Sequence, residues 1–132
     1  MQVGLHHTSA CGTMTLPFVA VHLGAGYHSE SRVQLYERLC RECIGVVLEN
    51  LNKNSLSQSL VAGISFLEAS GIVNAGCGSN KARNGTISTD AAIMLSNPRS
   101  IGSVGCMIDE KNPISTAETI RNEAIASGLG CR

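Results

Sequence analysis

Apolar residues recur twice in succession at helical spacing and then switch to every second residue. That order restricts the fold more than any other feature of the chain. Val33, Tyr36, Cys40, Cys43, Ile44, Val47, Leu48 and Leu51 fall on one face of a helix. Ser29 or Ser31 can open this helix by accepting a bond from a first-turn amide, and it should stop before Asn52-Lys53-Asn54. A second stripe follows in Leu56, Leu60, Val61, Ile64 and Leu67. Ser55 and Gln58 stand in the capping-box arrangement at its start, and Gly71 is the expected stop. After the turn signal Asn84-Gly85, Ile87, Thr89, Ala91, Ile93 and Leu95 alternate with Ser88, Asp90, Ala92 and Met94, the pattern of a half-buried strand. Two long amphipathic helices followed by strands imply a helical layer against a sheet, an α/β class.

The remaining segments fit that frame. Ser96-Asn97-Pro98 is a turn, and the small residues of 101–108 predict a strand with close neighbours on both faces. Asn112-Pro113 opens a third helix lined by Ile114, Ala117, Ile120 and Ala124 and ending by Gly128. Upstream, Phe18 to His22 reads as a buried strand running into Gly24-Ala25-Gly26. Residues 1–15 are rich in Gly, Ser, Thr and His and read as an irregular leader, leaving 16–132 as the folded part.

Composition narrows the core and the partners. With 14 Gly, two Phe, two Tyr and no Trp, the interior must be built from small aliphatic side chains and Cys, which suits closely stacked layers. Ten basic residues balance ten acidic ones, so no basic excess favours direct nucleic-acid binding. No uninterrupted apolar run is long enough for a membrane-spanning helix. The six cysteines do not read as a disulfide framework: Cys40 and Cys43 share a helical pattern, and Cys77 and Cys106 sit in apolar or Gly-rich runs. A zinc site at Cys40-x-x-Cys43 would need a second ligand pair at matching spacing, which is missing, and His6-His7 belongs to the leader. Reduced thiols and the lack of a basic start before the short run 16–21 predict a protein of the nucleus or cytoplasm that is not secreted.

Three segments could carry chemistry. His22 to His28 is a Gly-rich turn after a strand, exposing backbone amides, but it fits neither a Walker loop nor a dinucleotide fingerprint. Asn74 to Asn80 is a loop whose glycines let carbonyls converge on a hard cation, with Asn74 offering both an amide donor and an acceptor. Asp90 stands alone in an apolar and hydroxylated strand, where a structural hydrogen bond is the expected role. No Ser-His-Asp or Cys-His arrangement can be assembled.

Taken together, residues 18–31, 74–80, 89–94 (Thr-Asp-Ala-Ala-Ile-Met), 102–105 (Gly-Ser-Val-Gly) and 111–114 (Lys-Asn-Pro-Ile) resemble the opening part of the taspases, or threonine aspartases. These form a branch of the type-2 asparaginase family of N-terminal-nucleophile hydrolases, and the resemblance runs over 18–125. Tyr27-His28-Ser29-Glu30-Ser31 favours the taspase branch over the asparaginase and β-aspartyl-peptidase branches.

The resemblance implies part of an αββα sandwich and a precursor that cuts itself into α and β subunits. The β subunit then begins with a nucleophilic Thr whose freed amine serves as base. It implies protein substrates cleaved after Asp, pairing of α with β, and a homodimer of the full enzyme. Gly24 and Asn74 would border the active site. The carbonyls of Leu67, Glu68, Ser70, Val73, Ala75 and Cys77 would match a loop that binds a structural monovalent cation, with no cofactor required. The nucleophilic Thr has no counterpart here, since Thr116 and Thr119 fall in a predicted helix, so no catalytic residue is assigned. The expected reading is an α-subunit fragment, inactive alone, whose central strands expose an apolar edge. The alternatives are an asparaginase or β-aspartyl-peptidase fragment and a non-catalytic α-like interaction module.

Overall fold

The computed structural model describes residues 3–4, 17–24 and 29–128. The rest of the leader, His6-His7, Cys11, Leu16, Ala25 to His28 and Cys131 lie outside the described residues. In chain order the elements are β1 (Val3–Gly4), β2 (Ala20–Val21), α1 (Val33–Leu51), α2 (Leu56–Ala69), β3 (Ser88–Ser96), β4 (Arg99–Ile108) and α3 (Pro113–Ala126). The mixed α/β class is as the patterning implies, with three α-helices and two small antiparallel sheets among the described residues.

α2 is the central strut. On one side its Leu67 packs with Leu39 and Cys43 of α1, and Val21, Leu23, Phe66, Ile72 and Val73 close around them. On the other side Leu60 packs with Ile93 of β3 and with Ile114 and Ala117 of α3. The capping box at the start of α2 forms as its sequence predicts: Ser55 Oγ accepts from the Gln58 amide at 3.3 Å, and Gln58 Oε1 accepts from the Ser55 amide at 3.0 Å. Both groups would otherwise be orphan helix donors, so Ser55→Ala should cost about 1 kcal/mol of stability in urea unfolding. Gly71, at φ +66°, follows directly on the Ser70 cap and ends the helix there.

β3 and β4 pair antiparallel, from Ser96↔Arg99 at the turn to Ser88↔Ile108 at the open end. Thr89, Ala91, Ile93 and Leu95 face the helices while Ser88, Asp90, Ala92 and Met94 are exposed, as the alternation predicts. Between Thr89↔Met107 and Ala91↔Val104 the register slips, so that Gly105 and Cys106 oppose Asp90 alone. Cys106 adopts φ +55° in this bulge, and its amide donates to Asp90 Oδ1 at 2.7 Å. The lone strand carboxylate therefore has the structural role expected of it.

Several expectations need correction. The first strand is not a buried run over 18–22: only Ala20–Val21 is strand, paired with Val3–Gly4 inside the supposed leader, and Phe18 is 67% exposed. β4 has close neighbours on one face only. Ser100, Gly102 and Val104 meet α3 and the core, whereas Ile101 and Ser103 are exposed, because all described helices lie on one side. On that bare outer face Met94 and Ile108 are also open to solvent. The third helix hides a charge that its pattern places outside. Arg121 is 5% exposed, binds both carboxylate oxygens of Glu118 at 2.7 and 2.8 Å, and donates to Ser100 Oγ at 3.0 Å. That guanidinium holds the Glu118 carboxyl below its usual range.

Cys43 of the cysteine motif belongs to the core. Cys43 is fully buried, its Sγ directed at the Gly63 carbonyl at 3.4 Å, and burial, reinforced by Cys40, pushes its thiol up to about 11. Among the described residues no group of three His, Cys, Asp or Glu side chains could hold a metal ion, and Cys40, Cys43, Cys77 and Cys106 are free. Among the same residues no helix is long and apolar enough to cross a membrane.

Candidate active-site loop

The segment after α2 turns back on itself and separates two clefts. A tight 3₁₀ turn at Gly76–Gly78 fixes its shape, with the Gly78 amide donating to the Ala75 carbonyl at 3.0 Å. Gly76 has φ +51°, and a Cβ there would stand 2.5 Å from Glu68 Cβ and 2.6 Å from the Lys111 carbonyl. Only glycine lets the loop lie this close to α2 and to the segment that leads into α3. Asn74 is exposed at the crest of the loop, its Oδ1 accepting from the Asn80 amide at 2.9 Å. That bond fixes the carboxamide orientation and leaves its NH2 as a donor toward a ligand.

The first cleft, of about 610 Å³, joins the two residues for which the family resemblance implies an active-site border. Leu23, Gly24, Arg32, Tyr36, Asn74 and Asn80 all line it. Gly24 has φ +65° and its missing side chain would point into open space, so bare backbone faces the cleft. Arg32 escapes a reading based on apolar stripes alone, and Tyr36 enters that reading only as a member of the α1 stripe. The available signal is their spacing: four residues apart at the start of α1, they bring the guanidinium over the ring, 5.6 Å from its centroid.

The second cleft, of about 530 Å³, lies across the Asn74–Ala75 crest, against Thr89, Asp90 and the buried side of α2. Its unusual member is Glu68, which the family resemblance named for its carbonyl and not for its side chain. The residue is 3% exposed. Its Oε1 accepts from the Ile114 amide, in the first turn of α3, at 3.3 Å, and its Oε2 has no partner among the described residues. Burial pushes the carboxyl up to about 7; the Ile114 bond opposes that shift, and the nearby charge of Glu110 adds to it. The sequence signal is periodicity, since Glu68 lies one turn beyond Ile64 on the apolar face of α2.

The six carbonyls proposed for a cation come from the end of α2 and from this loop, and they are not equally free. The Leu67 carbonyl accepts from both the Ser70 amide at 3.2 Å and the Ser70 hydroxyl at 2.7 Å, which occupies both lone pairs. Val73 and Ala75 accept one backbone bond each and keep a second lone pair. Ligation through the Leu67 carbonyl would require Ser70 Oγ to turn away. Glu68, Ser70 and Cys77 lie in the same stretch, from the end of α2 to the 3₁₀ turn. Thr116 and Thr119 lie in α3 and line neither cleft; Thr119 Oγ1 donates to the Ser115 carbonyl at 3.0 Å.

Comparison with known proteins identifies this scaffold. Residues 15–125 match the Asparaginase_2 family model, described as asparaginase. The chain is similar to the plant-type L-asparaginase of Pyrococcus horikoshii, 34% identical over 103 residues, covering 77% of this chain and 34% of that protein. The plant-type L-asparaginase of Thermococcus kodakarensis is 32% identical over the same length, with the same coverage. A probable isoaspartyl peptidase/L-asparaginase 2 of Arabidopsis thaliana is 30% identical over 115 residues, 84% of this chain and 35% of that protein. The chain thus spans about a third of the length of the curated relatives it matches. The matched region contains both helical stripes, the loop bearing Asn74, the bulged hairpin and nearly all of α3. On this match the chain belongs to the Asparaginase_2 family.

Proposed function

We propose that this chain is the α-type part of a taspase-like, threonine-type endopeptidase that cleaves protein substrates after Asp. In this reading an N-terminal-nucleophile precursor with an αββα sandwich cuts itself. The Thr exposed by that cut attacks the scissile carbonyl, with its own α-amine taking the proton. Gly24 and Asn74 contribute from the α side. Bare backbone at Gly24 lets a peptide approach, and the Asn74 NH2, oriented through the Asn80 amide, is a donor toward the reacting group.

The observation that carries the reading is the segment ending in Ser29-Glu30-Ser31, which resembles the taspase branch and leads directly into the cleft lined by Gly24, Arg32 and Asn74. A second reading, hydrolysis of L-asparagine or of isoaspartyl peptides, is favoured by the names of the relatives. The endopeptidase reading further includes pairing of α with β subunits, a homodimer, residence in the nucleus or cytoplasm, and a monovalent cation held by the loop carbonyls. The cation has a structural part: it stiffens the crest that carries Asn74.

Intact-mass analysis of the complete gene product tests the shared chemistry. Self-cleavage should yield a second fragment whose first residue is Thr, and a product that never cuts itself would overturn the mechanism. The 132-residue chain by itself should hydrolyse neither an aspartyl peptide nor asparagine.

A further inference from the structure

We infer that Asn84 is a self-modification site of the folded chain: the Gly85 amide nitrogen attacks the Asn84 side chain, and Thr86 stabilises the oxygen on which charge collects. Asn84 is exposed in the turn that leads into β3, and it is the one Asn of the sequence followed by Gly. Its Oδ1 accepts from the Thr86 hydroxyl at 2.8 Å and from the Thr86 amide at 3.2 Å. Two donors converging on one carbonyl oxygen polarise its carbon and favour a tetrahedral adduct, as an oxyanion hole does. Gly85 has φ +86°, and a Cβ there would meet nothing within 4 Å, so no side chain screens the nitrogen. Asn74, by contrast, precedes Ala75, and its Oδ1 accepts from the Asn80 amide at 2.9 Å. Asn50 and Asn122 lie within α1 and α3, where the backbone is held in the helical ladder.

The reaction balances with water as the sole co-reactant. The Gly85 amide gives its proton to solvent base, and its nitrogen bonds to Asn84 Cγ. The adduct expels Nδ2, which takes up a proton and leaves as ammonia, and a cyclic imide remains. Water then opens the imide at either carbonyl, with no change of oxidation state. Opening at the main-chain carbonyl leaves an isoaspartyl link to Gly85, and opening at Cγ leaves an ordinary aspartyl link. Before the attack the Gly85 amide must release the Ala82 carbonyl, which it holds at 2.9 Å. Either product adds a carboxylate beside Arg83, in the turn closed by the Ala82 amide on the Thr86 carbonyl at 2.8 Å. The inference is independent of the reaction that the complete enzyme catalyses.

The test is incubation of the full 132-residue chain at neutral and mildly alkaline pH, followed by peptide mapping with mass spectrometry. The peptide containing Asn84 should exchange NH2 for OH before any other Asn peptide does, and faster at the higher pH. Labelling by a protein isoaspartyl methyltransferase should find the isoaspartyl product in that peptide. Thr86→Val, which removes the hydroxyl donor, should slow the exchange about tenfold, the worth of one hydrogen bond to a charged oxygen. Thr86→Ser should keep the wild-type rate. In guanidinium chloride, where the turn is lost, wild type and Thr86→Val should react alike. Gly85→Ala should slow the exchange in the folded chain and in the unfolded one, because its methyl group screens the nitrogen. Thermal melting identifies which variants fold, and the wild-type mapping and Gly85→Ala stand without Thr86→Val. Exchange at another Asn first, no exchange at Asn84 in the folded chain, or equal folded-state rates for wild type and Thr86→Val would each overturn the inference.

Discussion

Glu68→Gln should raise the melting temperature of the chain above pH 7, and its advantage over the wild type should vanish as the pH falls toward 4.5. The wild-type carboxyl is pushed from 4.5 to about 7 in the folded protein, chiefly by burial. Between those two values the unfolded chain loses the proton while the folded chain keeps it. The folded state therefore binds more protons, and stability falls as the pH rises. Below 4.5 both states are protonated and the penalty is absent; above 7 both are ionised and it is complete. The full shift corresponds to about 3 kcal/mol at about 1.4 kcal/mol per unit.

Glutamine keeps the acceptor for the Ile114 amide and carries no charge, so it should flatten this part of the pH profile. Glu110 raises the Glu68 value, and Asp90 lines the same cleft, so both belong in the comparison as charges facing the group. Glu118 works in the opposite direction, because its carboxyl is lowered by Arg121 and its contribution is lost as pH falls. The difference between wild type and Glu68→Gln isolates the buried group. Melting curves from pH 4 to pH 9 that run parallel for the two proteins would show that Glu68 is not buried as described.

Gly102→Val should destabilise the chain by about 3 kcal/mol or more in urea unfolding. A Cβ at this position would fall on the Ala117 carbonyl and stand 2.7 Å from both Cβ and the amide nitrogen of Arg121. These are backbone atoms and the root of a side chain, so relief requires α3 to lift off the sheet. Lifting it also separates Arg121 from Ser100 and thins the cluster of Leu60, Ile93, Ile114 and Ala117. Gly102→Ala should show the same effect at smaller size. Ser103→Ala, on the exposed face beside it, should stay within about 0.5 kcal/mol of wild type. A Gly102→Val protein as stable as the wild type would mean that α3 does not rest on β4.

Local signals made much of this fold legible. The Ser55–Gln58 capping box, the alternation along β3 and the proline at the start of α3 each act within a few residues, and each forms as the sequence implies. The errors lie where distant partners decide. Nothing local in Phe18 to His22 distinguishes a buried strand from a short edge that pairs with Val3–Gly4. The small residues of β4 are needed for the approach of α3 on one face only, which neither periodicity nor composition reveals.

Arg121 and Glu68 were hidden for a related reason. A charge on an apolar stripe is placed outside unless its partner is known, and the partners here are Glu118 and Ser100 in one case and the Ile114 amide in the other. The candidate site divides in the same way. Gly24 and Asn74 are brought to one cleft, while Arg32 enters through its stacking on Tyr36.

The central claim is an endopeptidase built on an asparaginase-family scaffold, and a paired assay of the complete gene product addresses it most directly. Ammonia release from L-asparagine and cleavage of a protein substrate containing an Asp-Gly site are followed under identical conditions. The account predicts cleavage after Asp with no ammonia released; ammonia release with the protein substrate left intact would contradict it.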